Sequence, residues 1–275
     1  MADVHRSAEV GPEVELGDGV VVGPGCVIEG RVTIGEGTKL KAGVYIEGPL
    51  RMGAGTVCYP GTTLGYPPQD RSFDPETPGA GTVIGDENLF REGVSVHRAT
   101  RDTPTTIGDR NYFMAQSHAG HDAVVGNDVT LANGTLLGGH VRIADRTIFG
   151  GHSMVHQFCR VGRLSMISGL AGISQDLPPF CMTYRTRTVG SLNVVGLRRS
   201  GYRDHIKPMK RAFEMFFRGG LSNASACAAI EEQLGDDPLV GEFVAFIRSA
   251  ERGVLSYDPA ARGGGESRKA EKLKS

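Results

Sequence analysis

Residues 118–139 read HAGHDAVVGNDVTLANGTLLGG, with Ala119, Val125, Leu131 and Leu137 six places apart. The same beat runs outward in both directions. Toward the C-terminus it continues through Ile143, Phe149, Val155, Val161, Ile167 and Ile173. Toward the N-terminus it passes Phe113 and Ile107, skips a stretch, and resumes at Val96, Phe90 and Ile84. After a second gap it runs from Leu64 through Cys58, Met52, Ile46, Leu40, Ile34, Ile28, Val22, Leu16 and Val10 to Val4. All 26 positions are apolar. Six residues are not a whole number of 3.6-residue turns, so an α-helix would scatter these side chains around its surface. A prism gathers them. Each hexad supplies a short strand and a corner, three hexads close one coil, and coils stack by parallel pairing about 4.8 Å apart. The periodic residue then fills the axis. The glycine that often follows it, as in "VGND" and "LGGH", helps the corners turn.

The six-residue pattern predicts a mainly β protein, a parallel β-helix over residues 1–186 with inserted loops near 65–83 and 97–106. After about residue 187 the beat stops. Residues 203–218, 222–234 and 237–251 space their apolar side chains by threes and fours, which predicts an α-helical C-terminal domain over 187–257. Residues 258–275 are polar and glycine-bearing, with a net charge of +2. They read as a disordered, solvated basic tail, with a contact for an acidic carrier protein as the alternative.

Composition narrows the function. The chain's 275 residues include 30 basic and 31 acidic ones, a formal net charge of −1, which gives no general attraction to nucleic acid or a membrane surface. The five cysteines form no C-x-x-C pair and are odd in number, so neither a structural zinc site nor a secreted disulfide framework is expected. MADVHRSAEV lacks the apolar core of a signal peptide, and no run approaches 18 apolar residues. A cytoplasmic setting without a transmembrane segment is expected.

With three hexads per coil, residues 18 apart lie one above another. His121, Gly139 and Gln157 each sit two places after a periodic residue, so they should form one column. His140 adjoins Gly139, and His118 enters the His121 corner. A histidine, with its ordinary pKa near 6.5, can take a proton from a sugar hydroxyl. Asp122 beside it could orient the ring, and a free glycine N–H could receive charge developing on a thioester oxygen. The plainer alternative is a set of polar residues on an outer face.

The hexads resemble those of the hexapeptide-repeat acyltransferases, which implies a left-handed parallel β-helix and a homotrimer with sites between neighbouring prisms. Six segments in order narrow the match: "VSVHRAT" (94–100), "HAGHDAVVGNDVTLAN" (118–133), "GGHVRIAD" (138–145), "GGHSMVHQFCRVG" (150–162), "GISQDLPP" (172–179) and "LNVVGLRRSGY" (192–202). Over roughly residues 3–255 the chain is similar to the UDP-N-acetylglucosamine 3-O-acyltransferases of lipid A synthesis. The resemblance implies transfer of a 3-hydroxyacyl chain from acyl carrier protein to the 3-hydroxyl of a UDP-sugar, with no cofactor and no metal. It implies His121 as general base, Asp122 as its support and the Gly139 N–H as oxyanion donor. It places His118, His140 and Gln157 against sugar or acyl donor, and Asn193 and Arg199 at the nucleotide. Gln69 and Asp70 in "PPQDRSF" match a loop that closes on the sugar, and Gly169 the place where acyl length is measured. His97, His152 and His156 are assigned structural roles.

Alternatives accompany these assignments. Asn193 could cap the helix that follows, Arg199 could pair with an acid, Gln69 and Asp70 could be plain loop polars, and Gly169 a corner glycine. The chain also departs from the family pattern. Ser72 stands where a lysine is expected, with Arg71 beside it, Ser200 stands for a second arginine, and "TYRTRTVGS" lacks a histidine. A paralogue acting on another sugar nucleotide is therefore a competing reading. Others are a non-catalytic scaffold and a γ-class carbonic anhydrase, whose histidine pair five residues apart has no counterpart here.

Overall fold

The computed structural model describes residues 1–184 and 186–258. The basic tail anticipated from residue 258 onward lies, beyond Asp258 itself, outside the described residues. Short strands stack into three sheets, of twelve, nine and eight strands, built from every third strand along the chain, except that the largest ends in Cys181–Thr183, Thr188–Leu192 and Ser256–Tyr257. Pairing between coils is parallel, and the usual offset is 18 residues: His118 pairs with Leu136, Leu136 with Met154 and Met154 with Gly172. The offset widens to 32 between Val57 and Leu89, and to 23 between Leu89 and Tyr112. The extra residues are carried outside the prism by segments 67–81 and 98–104. The three faces wind as a left-handed parallel β-helix, an exception to the right-handed rule for parallel connections.

The axis is filled as the six-residue pattern requires. Every periodic residue is buried except Val4, Val10 and Leu16, which belong to the first coil of the described residues. A second buried column was not anticipated. Two places before most periodic residues sits a small buried side chain, among them Cys26, Thr38, Val44, Thr56, Asn88, Asn111, Ala123, Thr135, Ser153 and Cys159. Their hydroxyls and amides serve corner backbone groups, as when Asn111 and Asn88 accept from the N–H groups of Val129 and Asn111.

The role expected for the glycines needs correction. Those after the periodic residue do not, as a class, adopt left-handed backbone. They permit close approach: a Cβ on Gly138 would lie 2.8 Å from the Gln157 nitrogen, and one on Gly35 2.5 Å from Gly53. The left-handed seat falls two places later. Glycine holds it in the early coils, whereas Asp122, His140 and Phe158 hold it, with φ of 58°, 59° and 65°, at the corner described below.

The C-terminal segment differs from a purely helical domain starting at 187. Strand Thr188–Leu192 still belongs to the prism's largest sheet, and Ser256–Tyr257 returns to pair with it. Between them lie α1 (Val194–Arg199), α2 (Ile206–Arg218), α3 (Asn223–Leu234) and α4 (Pro238–Arg248). Pro208 sits in the first turn of α2, where its missing N–H is harmless. Asp237 caps α4 by accepting from the N–H groups of Leu239 and Val240.

Candidate active site

Stacking brings the second, third and fourth histidine-bearing segments together. His140 N donates to His121 O at 2.9 Å, and Phe158 N donates to Gly139 O at 3.0 Å, which locks three coils in register. The His121 ring lies against Gly139 so closely that a Cβ there would sit 2.7 Å from Nε2. Gly139 must therefore be glycine for that ring to hold its place. Among the described residues, no hydrogen bond occupies the Gly139 N–H.

His121 Nδ1 donates to Asp122 Oδ2 at 2.6 Å, leaving Nε2 as the acceptor that faces the groove. Asp122 is held in turn. Its carboxylate accepts from Thr100 Oγ1 at 2.7 Å, from the Thr100 N–H at 3.1 Å and from the Arg101 N–H at 3.2 Å. Burial alone would raise its pKa, but the hydrogen bonds from His121 and Thr100 outweigh it and hold the carboxyl below its usual range. His140 stands at right angles to His121, ring centroids 5.0 Å apart, and its Nε2 lies 3.6 Å from Asp122. Burial pushes the pKa of His140 down against the pull of Asp122. Phe158 stacks on its ring at 4.5 Å.

His118 shares a hydrogen bond with Ser95 Oγ at 2.8 Å and packs edge-on against His97. Burial drives its pKa down to about 4, so the ring is neutral at cellular pH. Burial also lowers that of His97. A groove of about 730 Å³ runs past this cluster, lined by Gln69, His118, His121, Gly139 and Gln157 and floored by Leu136 and Met154. Asp70 accepts from Ser72 N–H and Oγ, which lowers its pKa, and the charges of His121 and His140 lower it further. Ser72 thus steadies Asp70.

Loop 67–81 is tethered by Arg98, only 2 % exposed. Its guanidinium donates to Glu47 Oε1 and to the carbonyls of Gly65, Pro75 and Thr77.

Other residues of the sequence-derived set lie elsewhere. Asn193 is buried, accepts from Gly196 N–H as the cap of α1 and donates to Leu164 O. Arg199 is exposed at the end of α1, and Gly169 is exposed at a corner beside Gly151. None of the three lines the groove within this chain. Conversely, His156, assigned a structural role, lies exposed on the groove wall together with Arg187. Its position directly before Gln157 was the available signal. Thr100 was missed because it lies in an insertion outside the six-residue beat.

A prism of six-residue rungs with a histidine–aspartate pair at one corner defines a hexapeptide-repeat transferase, and a model described as bacterial transferase hexapeptide (six repeats) matches residues 13–48. A second model, described as UDP N-acetylglucosamine O-acyltransferase, domain 2, matches residues 176–255. The chain belongs to the acyl-[acyl-carrier-protein]–UDP-N-acetylglucosamine O-acyltransferase family. It is 41 % identical to the member from Halorhodospira halophila over 259 residues, 93 % of this chain and all of that relative. Identity to the member from Thermodesulfovibrio yellowstonii is 39 % over 258 residues, 92 % and 99 % of the two chains. The crystal structure of UDP-N-acetylglucosamine acyltransferase from Francisella novicida superposes with a TM-score of 0.89 at 32 % identity, covering 95 % of this chain and 96 % of that one.

Proposed function

We propose that this chain transfers a 3-hydroxyacyl group from acyl carrier protein to the 3-hydroxyl of UDP-N-acetylglucosamine, the opening step of lipid A synthesis. The observation that carries the reading is the His121–Asp122 pair set against Gly139 in a member of this family. Nε2 of His121 takes the proton of the sugar hydroxyl, and the oxygen attacks the thioester carbon. Charge gathers on the carbonyl oxygen, where the free Gly139 N–H receives it. Collapse expels the carrier thiolate, which recovers the proton from the imidazolium. Asp122 stabilises that cation throughout. The apolar floor of Leu136 and Met154 takes the acyl chain, while the neutral His118 ring, together with His140, Gln157, Gln69 and the Asp70 carboxylate, positions the reactants.

No helix among the described residues is long and apolar enough to cross a membrane. Use of a carrier protein fits a cytoplasmic setting. The working unit is a homotrimer in this reading, with Asn193, Arg199 and Gly169 of one prism serving a neighbour's groove. Outward apolar side chains at Leu136, Ile148 and Met154, each nearly half exposed, support association. Light scattering on the purified protein checks the trimer; a monomer at working concentration contradicts it.

Turnover of 3-hydroxyacyl carrier protein with UDP-N-acetylglucosamine tests the reaction. His121→Ala should lower kcat at least ~100-fold with little loss of thermal stability. A variant that keeps most of its activity removes His121 from the base role.

Ser72 and Ser200 favour one second reading, a different sugar nucleotide as acceptor, which a mass-spectrometric screen of UDP-sugars separates. The carbonic anhydrase reading has one point of contact: donor atoms of His121, Asp122 and His140 lie within 4.8 Å of one another, a set that could hold a metal. His121 Nδ1 and Asp122 Oδ2 are already engaged with each other in the 2.6 Å hydrogen bond. Stoichiometric zinc in the purified protein would revive that reading.

A further inference from the structure

The His121 corner has a second side. The groove lies on the face of His118, Leu136 and Met154, while a separate hollow of about 630 Å³ opens on the face of Arg142 and Arg160, behind Asp122 and His140. Arg101, from segment 98–104, and Arg252, which follows α4, reach the same hollow. Arg142 and Arg160 are register partners on successive coils, so two guanidinium groups leave the sheet side by side. Like charges directly opposite one another destabilise a sheet. Arg160 is neutralised by Asp176 at 2.7 Å. Among the described residues, no carboxylate lies within 4.0 Å of the Arg101, Arg142 or Arg252 guanidinium. Asp122 is committed to His121 and Thr100, and the remaining acid, Glu251, leaves the hollow with a surplus of positive charge.

We propose that this hollow binds a phosphate group of a substrate, with Arg101, Arg142 and Arg252 supplying the charge. The inference rests on the acyl-transfer reading for the identity of the ligand. A transfer between two large substrates needs two sets of recognition groups, and the corner is flanked by two hollows, His121 opening on the first and Asp122 and His140 on the second. One is floored by apolar side chains and suits the acyl chain. The other is lined with guanidinium forks, whose geometry matches phosphate oxygens. Both reactants carry phosphate: a diphosphate in the sugar nucleotide and a phosphodiester in the pantetheine arm of the carrier protein.

The test uses the full chain and the Arg142→Ser/Arg252→Ser double variant, two exposed positions outside the groove. Inorganic pyrophosphate is titrated calorimetrically, and KM is measured separately for UDP-N-acetylglucosamine and for 3-hydroxyacyl carrier protein. Removing two charge-assisted partners should weaken pyrophosphate at least ~10-fold and raise one KM by at least ~10-fold, with kcat changed by less than about threefold. A rise confined to the sugar nucleotide assigns the diphosphate to the hollow; one confined to the carrier protein assigns the phosphodiester. Unchanged pyrophosphate affinity overturns the proposal. So does weakened pyrophosphate with both KM values intact, which means an adventitious ion only. If the parent protein shows no turnover, the acyl-transfer reading falls, while arginine-dependent pyrophosphate binding still upholds an anion site.

Discussion

At the scale of single residues, Thr100 completes the His121–Asp122 pair. Its hydroxyl donates to the same Asp122 oxygen that accepts from His121, so it restrains both the carboxylate and, through it, the imidazole. Thr100→Val keeps the shape and removes the donor. A hydrogen bond to a charged group contributes about 1.5–3 kcal/mol, so kcat should fall roughly tenfold or more, with KM nearly unchanged. Asp122 becomes more basic without that donor, holds the imidazolium more strongly, and the acid limb of the kcat profile should move to higher pH. An unmoved limb assigns Thr100 a purely structural part. His118 gives a second prediction. Its folded pKa, about 4, lies below the unfolded value near 6.5, so the unfolded chain binds more protons between those values. Stability should therefore drop as pH falls through that window, by up to ~3 kcal/mol from this group, with His97 acting in the same direction. Urea unfolding at pH 7 and pH 5 checks it; His118→Gln should flatten the difference. The stacked residues were legible in the sequence because an 18-residue offset is arithmetic. Thr100 was not, since a five-residue excess breaks the count where it enters.

At the scale of the rung, three positions of each hexad carry distinct constraints, and the sequence displays them unequally. The axial residue is conspicuous because it is large and apolar. The small column two places before it mixes Val, Thr, Ser, Asn, Ala and Cys, which share size and burial but not polarity, so a hydropathy pattern passes over it. The left-handed seat is hidden for another reason: stacking imposes it even on Asp122, His140 and Phe158, at a cost near 1 kcal/mol or more for each such residue. Val155, 3 % exposed and directly beneath Ile173 in register, tests the axis. Val155→Asp places an unpaired carboxylate between two coils and should lower stability by several kcal/mol, on the order of 3–5, or prevent folding. Val155→Ile changes only volume and should cost about 1–3 kcal/mol. Chemical denaturation of both variants separates charge from bulk; equal losses contradict an apolar axis.

At the scale of the molecule, the helices do not hang from the prism as an independent unit. Sequence periodicity places a boundary near residue 187, because the beat ends there, but the chain re-enters the sheet at Thr188–Leu192 and again at Ser256–Tyr257. The first return is an antiparallel hairpin with Cys181–Thr183 and the second a pairing across the whole helical segment; neither keeps the six-residue period, so a one-dimensional pattern does not reveal them. Side chains fasten the junction further. Asp176, 1 % exposed, accepts from the backbone N–H and Nε of Arg160, while its own backbone pairs with Gly253 and Leu255. The Arg160 guanidinium continues to Phe246 O and Ser249 Oγ on the α4 side and lies over the Phe246 ring. Arg163 reaches Glu242 of α4 at 2.7 Å. Arg160→Met therefore strips a buried carboxylate of its charge partner and unties α4 in one step. Breaking such a pair costs about 3–5 kcal/mol. If prism and helices form one cooperative body, the variant should unfold in a single transition at lower denaturant, with hydrogen-exchange protection reduced in α4 and in the strands near 160–192 alike. If α4 alone loses protection while the strands keep theirs, the helical segment is a separate folding unit and the junction is only a tether.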